Sequence, residues 1–141
     1  MEIKTAAGKV LFKDDGVKTI KELVEAALAK GANLTGAALG GADLQGLRRP
    51  AGHATLAGAD LTRANLSMAE LPGADLKGAK LTFANLFGGN FAGANFSDAN
   101  LMGANLIKAN AAGANFDRAE LQGADLASCN LSGANLQQAR K

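Results

Sequence analysis

The chain lacks tryptophan and tyrosine and has only six phenylalanines in 141 residues. A core built from large aromatic side chains is therefore excluded, and a repetitive core of medium-sized residues is the expectation. There is one cysteine, Cys129, so no internal disulfide can form, and a reducing compartment fits. The single histidine, His53, has no Cys, Asp or Glu near it in sequence, whereas zinc needs three or four ligands. No nucleophile elbow or triad pattern occurs. An excess of either charge is also missing: 15 Lys and Arg stand against 13 Asp and Glu, a net charge of +2. That balance speaks against a general nucleic-acid binder, which carries a clustered basic stripe, and against an acidic mimic. There is no apolar run of 18 residues, and Met1-Glu2-Ile3-Lys4 leads into no apolar segment. The expectations are a cytoplasmic protein with no membrane span, no leader, no cofactor and no metal.

What the chain does have is a period of five. Large apolar residues, here position i, recur at Leu34, Leu39 and Leu44. They resume at Leu56 and continue every fifth residue to Leu136, giving 20 positions of which only Ala111 is neither Leu nor Phe. Position i−2 is Ala except at Gly89 and Cys129; i−1 is mostly Asn or Asp, and i+2 is often Gly. Five is neither the helical 3.6 nor the strand period of 2. Gly at i+2 suits a corner with φ > 0, and Asn or Asp at i−1 bonds nearby backbone in turns. The recurrent glycines Gly36, Gly41 and Gly46 and the Asn-x-Ser/Thr triplets are by-products of this period.

The pattern A-(D/N)-L-x-x over Ala32 to Leu136 resembles the pentapeptide-repeat family. That resemblance implies an all-β solenoid, a right-handed quadrilateral β-helix, with each pentapeptide one side and a coil of about 20 residues. Positions i and i−2 point inward and the other three outward. About five coils at the strand spacing of about 4.8 Å give roughly 24 Å. A 20-residue coil places Phe96 directly under Phe116 and puts Phe96 in one layer with the small Ala111, so that their volumes offset each other.

Two segments stand outside the pattern. Residues 1–31 read as an N-terminal α/β cap on the repeat domain, 32–141. Ile3 to Thr5 and Lys9 to Lys13 flank a turn as a small hairpin. Thr19-Ile20-Lys21-Glu22 is a capping box, Gly31 is a stop, and Ile20, Leu23, Val24, Ala27 and Leu28 form the apolar stripe of a helix between them. The register breaks once, with two extra residues between Leu44 and Leu56. The stretch 45–55 then supplies the fourth side of the first coil and bulges outward, with Arg48 and Arg49 adjacent. It is either a partner-contact loop or a tolerated surface insertion.

Large apolar residues stand at outward positions at Phe83 (i+2) and at Phe87, Met102 and Ile107 (i+1). A 20-residue coil gathers them around one corner, as an interaction site or as ordinary surface apolarity. The last leucines, Leu131 and Leu136, are expected to be uncovered. A homodimer through the C-terminal end is one outcome, and a monomer covered by Gln137, Gln138 and Arg140 is the other.

The resemblance also implies a DNA-mimicking regulator or protector of a type II topoisomerase such as gyrase. Duplex DNA carries one negative charge per about 1.7 Å, so roughly 24 Å of mimic wants on the order of 14 acids. From Gly31 to Lys141 there are eight Asp and Glu against nine Lys and Arg. The sequence therefore favours a non-enzymatic scaffold or protein-interaction module with an unidentified protein partner. Direct nucleic-acid binding is not expected.

Overall fold

The computed structural model describes residues 1–48 and 54–141. Strands β1 (Glu2–Lys4) and β2 (Val10–Lys13) pair antiparallel and are followed by helix α1 (Ile20–Ala29). The turn between the strands uses Gly8 at φ 84°, and Thr5 N–H donates to the Lys9 carbonyl at 2.9 Å. The α1 capping box is complete: Thr19 Oγ1 accepts from Glu22 N–H at 3.1 Å, and Glu22 Oε2 accepts from Thr19 N–H at 3.2 Å. The helix ends in a Schellman motif, with Ala32 N–H donating to the Ala27 carbonyl and Gly31 N–H to that of Leu28. Leu23, Val24, Ala27 and Leu28 are buried, and Ile20 packs at the margin of the same core.

From Leu34 onward each pentapeptide forms one side of a square coil. Bridged pairs are Ala38 with Asp60, Asp43 with Asn65 and Arg48 with Glu70, a separation of 22 residues (60 − 38). From Thr55 with Asp75 onward every parallel bridge spans 20 residues. The spacing thus changes from 22 to 20 between Arg48 and Thr55. Arg48 and Ala54, at the margins of the 45–55 stretch, are in the ladder: Arg48 bridges Glu70, and the Ala54 carbonyl accepts from Asp75. Leu47 fills an inner slot held by Ala on most other sides. Arg49 and His53 lie outside the described residues.

The sides are shorter than ordinary strands, each contributing one bridged residue at i−1. The reason is the corner. The i+3 N–H bonds back to the carbonyl of i, as in Ala69 to Leu66 at 3.1 Å, which closes a four-residue turn at every step. Among the described residues all 20 i+2 corner residues have positive φ; twelve are glycine and eight are not, including Arg63, Met68, Phe83 and Lys108. The ladder is directional. N–H groups at i and i+2 donate to the following coil, as in Leu66 to Asn85 at 2.7 Å, while N–H at i−1 donates to the preceding one, as in Asn85 to Ala64 at 3.0 Å. The first coil's backward donors meet the N-terminal elements. Ala38 N–H bonds the Lys4 carbonyl at 2.8 Å, and Arg48 N–H bonds Glu25 Oε1 at 3.1 Å.

The interior is two sets of columns, Leu or Phe at i and Ala at i−2, almost all fully buried through Leu121. Phe96 and Phe116 stack with centroids 4.9 Å apart and planes 5° from parallel, as the coil length requires. Phe91 meets Phe96 edge-on at 5.7 Å. Gly89 replaces Ala because of Phe91: a β-carbon there would lie 2.5 Å from Phe91 Cε2 and 3.3 Å from the Ala69 carbonyl oxygen. Gly89→Ala should accordingly lower stability by about 1–3 kcal/mol. Cys129→Ala, which restores the usual residue in a half-buried slot, should change it by less than about 1 kcal/mol. Denaturant melts of both variants check this; equal stabilities would contradict the packing account.

Candidate interaction surface

The outward positions form a fixed grid. Along a column, successive residues are bridged neighbours in successive coils; along a coil, they turn a corner. At i−1 the grid is largely amide. Asn85 Nδ2 donates to Asn65 Oδ1 at 3.3 Å, Asn110 to Asn90 at 3.2 Å and Asn135 to Asn115 at 3.0 Å. The same side chains accept the N–H two residues on, as Asn85 Oδ1 does from Phe87 at 3.2 Å and Asn105 Oδ1 from Ile107 at 3.0 Å. These amides are thereby committed to the scaffold.

The structure sets the four outward apolar residues on adjacent sides as two neighbouring pairs. Phe83 N–H bonds the Met102 carbonyl at 2.9 Å, and Gly88 N–H, next to Phe87, bonds the Ile107 carbonyl at 2.9 Å. A fifth residue joins them: Met68 N–H bonds the Phe87 carbonyl at 2.8 Å. Exposure is 61% for Phe83, 55% for Met68, 41% for Met102 and 36% for Phe87, while Ile107 is half-buried. Phe83 and Met68 each lie against a glycine of the next coil, Gly103 and Gly88, whose lack of a β-carbon makes room for the side chain. Lys108 Nζ stands 6.0 Å from the Phe87 ring centroid. Phe83 itself holds φ 57°, a left-handed conformation that costs a non-glycine residue roughly 1–2 kcal/mol. The sequence reading missed Met68, although its signal, an apolar residue at i+2, was the one that marked Phe83.

The remaining candidates are dispersed. Arg48 is exposed near α1, while Arg49 falls outside the described residues. Leu131 and Leu136 are half-buried, in contrast to the fully buried leucines of the preceding coils. Burial pushes the Cys129 thiol up, away from the activated thiolate range. Hydrogen bonds from Arg118, at 2.7 and 3.1 Å, hold the Asp98 carboxyl below its ordinary value. Among the described residues no group of His, Cys, Asp and Glu could hold a metal ion.

This repeating grid is that of a known family. The Pentapeptide repeats model matches in eight copies over residues 52–78, 79–118 and 99–138, more than half of the chain, and the protein belongs to that family. Its members fold as right-handed quadrilateral β-helices. The pentapeptide repeat protein Rfr23 of the cyanobacterium Cyanothece 51142 is 30% identical, with TM-score 0.62 over 67% of this chain and 63% of its own. One from the Arabidopsis thaliana thylakoid lumen is 32% identical, with TM-score 0.59 over 72% and 66%. This chain thus covers just under two thirds of either. QnrB1, a plasmid-mediated fluoroquinolone resistance protein, is 22% identical over 72% of this chain and 76% of its own, at TM-score 0.31, too loose a likeness to argue from. No curated protein sequence matches significantly.

Proposed function

We propose that the protein is a non-enzymatic scaffold that presents its outer grid to a protein partner, with the Met68, Phe83, Phe87, Met102 and Ile107 corner as the contact. The observation that carries this reading is Phe83. A phenylalanine at a solvent-facing, left-handed corner costs stability that glycine avoids at twelve equivalent corners. It is also 61% exposed, so burial does not offset that cost. In this reading the β-helix spans 32–141 in about five coils, with residues 1–31 as its N-terminal cap. Arg48, exposed on the first coil, is proposed as an accessory surface.

The topoisomerase mimic remains the less favoured alternative, since eight acids against nine cations give the repeat region no net negative surface. No helix among the described residues is long and apolar enough to cross a membrane. A cytoplasmic location suits the single thiol, although the Arabidopsis relative comes from the thylakoid lumen.

The combined substitution Phe83→Ser and Phe87→Ser should leave the fold intact, with the melting temperature within a few degrees of the parent, and abolish partner binding or assembly. Unchanged assembly and binding in a folded double variant would remove the corner from the account. A second copy stacking on the half-buried Leu131 and Leu136 is the further partner proposed. Light scattering at micromolar concentration should return a dimer mass, and a monomer mass would exclude this contact.

A further inference from the structure

We infer that the corner around Phe83 and Phe87 receives an acidic apolar protein segment, one whose apolar side chains are flanked by carboxylates. This inference rests on reading the corner as a contact surface and goes on to give the partner's chemistry.

Cations ring the apolar residues. Arg63 occupies the corner position one coil before Phe83, and Lys108 the one after Gly88. Lys80 stands on the same side as Phe83, bridged to Asp60 of the coil below and Asn100 of the coil above. All three cations are exposed, and every ion pair among the described residues lies elsewhere. The acids at the margin of the corner are engaged: Glu70, two residues after Met68, accepts from Asn90 Nδ2 at 3.0 Å, and Asp125, bridged to Asn105, accepts from Ala127 N–H at 3.0 Å. No acid occurs between Asp75 and Asp98, nor between Asp98 and Asp117. Asp98 is at another corner and is bound by Arg118. Asp60 is the one acid next to Lys80, and its carboxylate accepts Thr62 N–H at 3.0 Å.

The charge pattern selects among occupants. Two copies of this corner, apposed about a two-fold axis, would gather six cations, Arg63, Lys80 and Lys108 from each, into one interface, so self-pairing is disfavoured. A nucleic-acid backbone would call for a longer basic stripe than three cations. Strand addition is closed as well. The N–H groups of Met68, Phe83 and Gly88 already bond the next coil, and the Asn85 and Asn105 amides serve the scaffold. What remains available is rings, thioethers and cations, which fit apolar side chains flanked by carboxylates.

The test uses the full chain and three fluorescent probes. Two are amphipathic peptides with identical leucines, differing only in Glu or Lys at their polar positions, and the third is oligouridylate. Anisotropy at low salt should show the Glu peptide binding about tenfold tighter than the Lys peptide. Amide shifts should concentrate at 82–88 and 102–108, and Arg63→Glu with Lys108→Glu should reverse the preference. Equal affinity for both peptides would overturn the inference while leaving an uncharged contact surface standing. Tighter binding of oligouridylate, or no shift with any probe, would also overturn it. Whether the corner is a contact surface at all is decided separately by the Phe83→Ser and Phe87→Ser variant, whose melting temperature certifies its fold.

Discussion

The parallel backbone ladder is the interaction on which the rest of the structure depends. Each five-residue side of the inner coils gives two N–H groups to the coil after it and one to the coil before. That division works only if every side meets its counterpart 20 residues away, and all the later bridges do. Once that register is imposed, the other preferences follow. The corner needs a left-handed residue at each i+2. The narrow interior admits one branched side chain and one small one per side, which is why Leu alternates with Ala through the columns. A single departure such as Phe91 is accommodated by removing a methyl group at Gly89.

A scaffold held in this way turns sequence position into surface position. The outward side chains stand on a grid with rows at about 4.8 Å, the strand spacing, and with little freedom to rearrange. Residues 19 or 20 apart in sequence, such as Met68 with Phe87 and Phe83 with Met102, become surface neighbours. Recognition by such a surface depends on which side chains occupy the grid and not on motion. The asparagines bind one another and the backbone, which leaves the apolar corner and its surrounding cations for the contact proposed above.

Much of this was legible in the sequence because the period is itself the fold. The stacking of Phe96 on Phe116 followed from their separation, and the capping box and Gly31 marked both ends of α1. Other features needed the coil in three dimensions. Leu47 reads as a loop residue, since it stands three after Leu44, yet the fourth side of the first coil draws it into an inner slot. Gly89 looked like an irregularity until the Phe91 ring was seen to occupy the volume of its missing methyl. Met68 went unnoticed because it sits one coil before Phe87, in the corner column of Gly88, and only the bond between their backbones makes them neighbours. The unpaired state of Arg63, Lys80 and Lys108 depends on side-chain placement, which no spacing conveys.

Residue-resolved amide hydrogen exchange tests the ladder most directly. Between Leu56 and Leu121 the account predicts strong, comparable protection at i−1, i and i+2 on all four sides, repeating every five residues. Protection confined to one or two sides, or alternating with period two, would contradict it.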